Sequence, residues 1–391
     1  MAARTIHPFP ARMASDIALE RLDALPAQQT LNVLDPMCGS GTVLAAASSR
    51  GHSAQGFDVD PLAVLMSTVA TKPIATENLE AQAEVLCAHA RESKVTTPRW
   101  DDPETTKFSE YWFAEKQRVQ LNRLTREMEA IDNLSIRQVL QVALSRTIVT
   151  KSPRASLAAD TSHSRPHRVI TESDYDVYEG FKKSVTNLKN LLDKRKLNGV
   201  VKVDRGDARA LTIQPETIDL VITSPPYLNA IDYLRGHKMS LIWLGYTIPE
   251  LRRIRSSSIG AERALDGEAL DHVLEMVRLI KASVAAPDLL PLPTITRYAQ
   301  DLVLFSRELS RVCKPSASVV TVIGNSTLRG NYIQNDLLVR KAYEFYGFEV
   351  LDRSERELPE NRRYMPVRTA NKDSSMAKRM RSEVVLEVIK P

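Results

Sequence analysis

Two consecutive prolines, Pro225 and Pro226, stand directly after an apolar run from Ile218 to Ile222. That run carries Asp219 inside it and reads as a buried strand. Neither proline can donate to a ladder, so the strand must stop and the chain must turn. The segment Thr223-Ser224-Pro225-Pro226-Tyr227 therefore presents a hydroxyl, backbone carbonyls released from the sheet and an aromatic ring at a strand's carboxyl end. Open α/β sheets bind their ligands at that end. The Ser224 hydroxyl and the Pro225 carbonyl can accept hydrogen bonds from an amine. The Tyr227 ring can stack on a planar base. A proline turn that only caps a strand is the other reading of the same residues.

Further strand ends precede it. Leu31 to Asp35 reads as a buried strand and runs into Pro36-Met37-Cys38-Gly39-Ser40-Gly41-Thr42. An Ala-rich helix from Val43 to Arg50 follows, closed by Gly51. Glycines let backbone approach a ligand closely, and a helix N-terminus offers free amides. The turn is not GxGxxG. Nor is it a P-loop, because no Gly-Lys-Ser/Thr follows, which removes most of the case for a phosphate-cradling nucleotidase. A short strand, Ser53 to Phe57, ends at Asp58. It lies about 20 residues past the turn, where an acid accepts from ribose hydroxyls in dinucleotide-binding and related folds. A solvated strand end is the alternative for Asp58. Asp60 and Pro61 read as N-cap and first turn of the next helix. The strand Gly199 to Val203 ends in Asp204-Arg205-Gly206-Asp207-Ala208-Arg209.

Between these strands the period changes. Residues 77–196 carry helical patterns: one begins at Tyr111-Trp112-Phe113 and runs through Ile131, a second spans Ile136 to Ile148, and a third runs from about Tyr175 to Lys196. The polar, proline-bearing stretch from Lys151 to Arg168 between the last two reads as a loop. Its Arg154 and Arg165 are either solvated or contacts for phosphate. A second intrusion, about 228–298, contains Leu251-Arg252-Arg253-Ile254-Arg255. The expected organisation is a first catalytic part (1–76), a helical insertion (77–196) and a second catalytic part (197–391).

The chain has 391 residues, a net charge of +5 and a pI of about 9.0. That length exceeds what one ordinary domain needs, and the charge is a mild bias toward polyanions. Cys38, Cys87 and Cys313 form no CxxC pair, which argues against a zinc site and suits a reducing cytoplasm. No apolar run approaches a membrane span, and the N-terminus lacks the apolar stretch of a secretory signal.

In this order, Asp35-Pro36 with Gly39-Ser40-Gly41, then Asp58, then Asp207, then Thr223-Ser224-Pro225-Pro226-Tyr227 resembles the S-adenosylmethionine-dependent DNA amino-methyltransferases. These modify the exocyclic amine of cytosine or adenine. The resemblance covers residues 5–70 and 198–227 well and the rest more loosely. It implies a Rossmann-like class I methyltransferase fold: a seven-stranded, mostly parallel sheet covered by helices on both faces, here with a helical insertion. It implies that Asp35, Pro36, Cys38, Gly39, Gly41 and Thr42 wrap the methionine part of the cofactor, and that Asp58 binds ribose with Val59 against adenine. Asp207, with Ala208 beside it, would take the adenine amine. His7, Phe9 and Pro10 resemble the N-terminal cofactor segment, and Thr223 borders the same side. Ser224, Pro225, Pro226 and Tyr227 fall on the catalytic motif. No metal is expected.

The implied partner is double-stranded DNA, held by Arg154, Arg165, Arg252, Arg253 and Arg255, and a cognate restriction or defence protein is a candidate partner. Ser224 stands where many adenine-specific members have Asp, which inclines the expectation to N4-methylcytosine. N6-methyladenine, and RNA as substrate, are the alternatives. Carbon-5 methylation of cytosine needs a nucleophilic cysteine after proline, and no Pro-Cys occurs. A nicotinamide oxidoreductase would leave the proline turn unexplained, and a non-catalytic DNA-binding protein on the same fold is the last rival.

Overall fold

The computed structural model describes residues 6–8, 15–24, 29–160, 166–228, 234–257, 266–357 and 382–391. Phe9, Pro10 and Arg165 lie outside them. Seven strands form one sheet: β1 (Asn32–Asp35), β2 (Ser53–Asp58), β3 (Val201–Arg205), β4 (Ile218–Thr223), β5 (Cys313–Gly324), β6 (Glu349–Glu357) and β7 (Ser382–Ile389). Their order is β6-β7-β5-β4-β1-β2-β3. β1 to β5 pair in parallel, and β7 runs antiparallel to both neighbours. This is the expected Rossmann-like sheet.

Alternation along the central strands divides the core. Val33, Leu220, Ile222, Val320 and Val322 face α1 (Ser15–Asp23) and α2 (Thr42–Ser49). Leu34, Val221, Val319 and Ile323 face α11 (Gly267–Ser283), α12 (Leu292–Val312) and α13 (Asn335–Glu344). A strand buried on both faces needs an unbroken apolar run, which is how β4 reads apart from Asp219. Asp219 is satisfied locally by the Asn32 amide at 2.8 Å and Lys314 at 2.7 Å.

A separate apolar core lies beyond α3 (Pro61–Thr71). It is built from α4 (Leu79–Glu92), α6 (Glu115–Glu129), α7 (Leu134–Ser145) and α8 (Val177–Leu192), with α5 (Pro103–Trp112) at its side. The second intrusion joins it: α9 (Leu234–Leu241), the turn Ile242–Leu244 and α10 (Ile248–Ser257) contribute Met239, Trp243, Leu251 and Ile254 to the same core. Trp243, 1% exposed, sits between Trp100 at 4.9 Å and Phe113 at 5.3 Å. The first intrusion and the 234–257 part of the second are thus one helical body, while α11 of the second packs on the sheet.

Two local expectations change. The helical pattern from Tyr111 to Ile131 breaks after Trp112, because the amide of Leu157 takes the Trp112 carbonyl at 2.9 Å and Phe113 turns its ring onto Trp243. The stretch from Lys151 to Arg168, expected as loop, pairs Ala158–Ala159 with His167–Arg168.

Candidate active site

The strand order reverses between β1 and β4, since β2 and β3 lie on one side of that pair and β5 and β7 on the other. A crevice opens at the carboxyl ends of such a pair. Here the first and last motifs meet: the Thr223 hydroxyl donates to Asp35 Oδ1 at 3.0 Å, with both residues buried. The Met37 amide donates to the same oxygen at 3.3 Å. Burial nevertheless dominates and pushes the Asp35 carboxyl up to about 7.

The glycine turn is held from β2. Cys38 N–H donates to the Phe57 carbonyl at 2.9 Å and Gly39 N–H to Asp58 Oδ2 at 2.9 Å. Gly41 caps α2 with φ 79°, a left-handed conformation that favours glycine. A β-carbon there would come within 3.0 Å of Ser67 Cα on α3. The Ser67 hydroxyl reaches the Gly39 carbonyl at 2.6 Å and lies 3.4 Å from Cys38 Sγ. Asp58 Oδ1 accepts from the Asp60 amide at 2.9 Å. Burial, reinforced by the charge of Asp60, raises Asp58 to about 6. Asp60 caps α3 through the Leu62 amide at 2.8 Å, and its other oxygen lies 2.5 Å from His237 Nδ1. Val59 is half-buried beside them.

Asp207 follows β3. Its carboxylate accepts from Arg209 Nη2 at 2.8 Å, and Arg209 Nη1 bonds Asp301 of α12 at 2.5 Å. Ala208 is buried. The Gly206 amide donates to the Asp58 carbonyl at 3.1 Å, which draws this loop to the end of β2.

On the other side of the crevice, Ser224 is exposed and its hydroxyl donates to the Val322 carbonyl of β5 at 2.9 Å. Pro225 is buried, and Pro226 and Tyr227 are half-buried. A β-carbon on Gly324 would touch the Tyr227 ring at 3.6 Å. The Leu228 carbonyl accepts from the Ser326 hydroxyl, which Asn335 Nδ2 bonds at 2.7 Å while also donating to the Gly324 carbonyl at 2.8 Å.

The remaining candidates sit on the helical body or near it. His7 is buried, and the neighbouring Ile6 carbonyl is bonded by Arg146 at the end of α7. Arg154 is exposed on the segment before Ala158–Ala159. Arg252, Arg253 and Arg255 project from α10 opposite its buried Leu251 and Ile254, with Arg252 paired to Glu104. Ser67, Arg209, His237, Asp301, Ser326 and Asn335 were not singled out from the sequence. Ser67, His237, Asp301 and Ser326 act through partners distant in the chain, which leaves no local signal, whereas Arg209 ties its neighbour Asp207 to the distant Asp301.

No family model matches the chain. Known proteins do. The type II methyltransferase M.MvaI of Kocuria varians is 21% identical over 410 residues, spanning 97% of this chain and 89% of that protein. The type II methyltransferase M.AvaI of Nostoc sp. is 23% identical over 376 residues, 81% of this chain and 73% of its own. The type II methyltransferase M.BsoBI of Geobacillus stearothermophilus is 28% identical over 165 residues, 35% of this chain and 32% of its own. The chain is an S-adenosylmethionine-dependent DNA methyltransferase. Among solved structures, an S-adenosylmethionine-dependent methyltransferase of Methanosarcina mazei aligns at 11% identity and a TM-score of 0.34, covering 95% of this chain and 96% of that one.

The donor set of this methyltransferase fits the cofactor. A glycine turn lets the backbone close on a ligand, and the carboxyls of Asp35 and Asp58 stand beside it at the ends of β1 and β2. No group of three or more His, Cys, Asp or Glu among the described residues is placed to hold a metal ion. No helix among them is long and apolar enough to cross a membrane.

Proposed function

We propose that this methyltransferase moves the methyl group of S-adenosylmethionine to the exocyclic N4 amine of a cytosine flipped out of double-stranded DNA. The Ser224 hydroxyl carries the reading. Its proton goes to the Val322 carbonyl, so its lone pairs are left to accept. An aryl amine is a poor nucleophile because its lone pair is delocalised into the ring. Ser224 Oγ and the Pro225 carbonyl, each accepting one amine hydrogen, favour a pyramidal nitrogen with a localised pair. This is positioning and electrostatics rather than strong base catalysis. Tyr227 holds the base by stacking, and Pro226 keeps the turn closed. A base inside a duplex cannot reach such a pocket, so it must be flipped.

When bound, the cofactor supplies an electrophilic methyl on its sulfonium. Asp35, Pro36, Cys38, Gly39, Gly41, Thr42 and Thr223 line its methionine side, and His7 belongs to the same side in this reading; Phe9 and Pro10 lie outside the described residues. Asp58 accepts from ribose, and Val59 and Ala208 flank adenine. Asp207, whose two oxygens Arg209 holds in place, takes the adenine amine in this reading. Carbon-5 chemistry would need a thiolate, whereas burial raises Cys38 and pushes Cys87 and Cys313 up to about 12.

The helical body reads DNA in this proposal, with Arg154, Arg252, Arg253 and Arg255 on phosphates; Arg165 lies outside the described residues. A cognate restriction or defence protein in the cytoplasm is the partner in this reading, which the type II names of the relatives support. The test incubates purified protein with mixed-sequence duplex DNA and methyl-labelled cofactor, then hydrolyses to nucleosides. Label in N4-methylcytosine is expected. Label in N6-methyladenine alone would change the base and keep the mechanism. Label in 5-methylcytosine would overturn the mechanism, and label only in RNA would overturn the substrate class.

A further inference from the structure

The Asp60 carboxylate joins two parts of the molecule. One oxygen caps α3, and the other lies 2.5 Å from His237 Nδ1 on α9. Both side chains are nearly buried, at 8% exposed for His237 and 10% for Asp60. With Asp60 as acceptor, the ring carries its proton on Nδ1. The Asp60 amide then donates to Asp58 Oδ1, and Asp58 Oδ2 accepts from the Gly39 amide of the glycine turn. A bonded chain thus runs from α9 to the acid at the end of β2. In the other direction α9 continues into Trp243, packed between Trp100 and Phe113 inside the helical body, and then into the arginine-bearing α10. Such packed interiors shift as units rather than deforming smoothly.

We propose that His237 is a positioning residue that couples the two substrates. Seating the helical body on DNA sets α9, and α9 sets Asp58 through Asp60, so cofactor and DNA each tighten the binding of the other. The inference rests on reading Asp58 as the ribose ligand and the helical body as the DNA face. Coupling of this kind is reciprocal, so both directions must give the same factor.

The experiment measures dissociation constants on the full chain by calorimetry. S-adenosylhomocysteine is titrated with and without mixed-sequence duplex DNA, and the duplex with and without S-adenosylhomocysteine. The wild-type protein is expected to show the same enhancement both ways, about fivefold or more. His237→Leu should bring that ratio close to one. His237→Asn, which keeps a donor near the Nδ1 position, should retain it, whereas His237→Gln, whose amide lies a bond further out, should not. The Asn and Gln pair decides the matter if the Leu variant does not fold. A ratio of one in the wild type, or an unchanged ratio in His237→Leu and His237→Gln, overturns the proposal. A fall in thermal stability and in both separate affinities with the ratio preserved also overturns it, because that marks a structural role only. Failure of the wild type to bind DNA at all would instead sink the reading of the helical body.

Discussion

The two halves of the crevice are fastened by opposite chemistry. At the ends of β1 and β2, carboxylates accept from backbone amides: Asp35 from Met37, Asp58 from Gly39 and Asp60, Asp60 from Leu62. At the ends of β4 and β5, neutral side chains donate to backbone carbonyls: Ser224 to Val322, Ser326 to Leu228, Asn335 to Gly324. The first half buries carboxyls that resist ionising, and a ligand bearing a sulfonium and an ammonium would favour their charged form. The second holds its turn without formal charge, which suits a neutral aryl amine beside an aromatic ring.

The largest effect should come from breaking the charged half. Asp58→Ala removes the acceptor proposed for ribose and also releases the Gly39 and Asp60 amides that shape the turn. Hydrogen bonds to a charged acceptor are worth roughly 1.5–3 kcal/mol. Cofactor affinity should fall by at least that much, read by calorimetry in a variant shown to be folded. Unchanged affinity would sink the ribose assignment.

Breaking the neutral half should act on turnover instead. Tyr227→Ala should cost roughly 1–3 kcal/mol in kcat/KM for DNA, the range of base stacking, while leaving cofactor affinity intact. A parallel loss of cofactor affinity would mean the ring belongs to the charged half.

The halves should also differ with pH. Asp35 and Asp58 hold their protons up to about 7 and about 6, against an ordinary 3.8. Folding therefore binds protons more tightly than the unfolded chain does. The stability these protonated carboxyls contribute is complete below pH 3.8 and is lost as pH rises through about 6 to 7. A cationic ligand favours the ionised carboxylates, so S-adenosylmethionine should tighten over that rise. S-adenosylhomocysteine, without the sulfonium, should show a shallower slope in the same titration. A cofactor affinity flat between about pH 5 and 8, a window of about one unit around those values, would remove charge from the account of this half.

The charged half was legible in the sequence for a physical reason. Each of its strands ends abruptly at Asp, Gly or Pro, and a local cap such as Asp60 before Pro61 declares the next helix. The seven-stranded, mostly parallel sheet followed from those strands and the resemblance they carried. What was not legible depends on partners far along the chain. His237 finds Asp60 across 177 positions, and Ser224 finds Val322 across 98. The break at Phe113 contradicts its own helical period because Leu157 and Trp243 outweigh it. Both intrusions were visible as intrusions, but only packing around Trp243 joins residues 234–257 of the second to the first in one body, and leaves α11 on the sheet.

That body supplies the smallest expected effect, and it tests whether the neutral half has a basic neighbour that works. Arg252, Arg253 and Arg255 share the exposed face of α10, and Arg252 already pairs with Glu104. An exposed pair of this kind is worth little on its own, so phosphate can compete for Arg252. Each phosphate contact contributes about 0.9 to the slope of log K against log salt. Neutralising one such arginine should lower the slope by about 1, which is about three- to fourfold in affinity between 50 and 200 mM salt. Arg252→Ala, Arg253→Ala and Arg255→Ala, singly and together, should show this in DNA binding while cofactor affinity without DNA stays constant. Base preference should not move either, because phosphate contacts carry no sequence information directly. If the triple variant keeps the wild-type slope, α10 presents only a solvated face, and the DNA contact must be sought in the segment that holds Arg154.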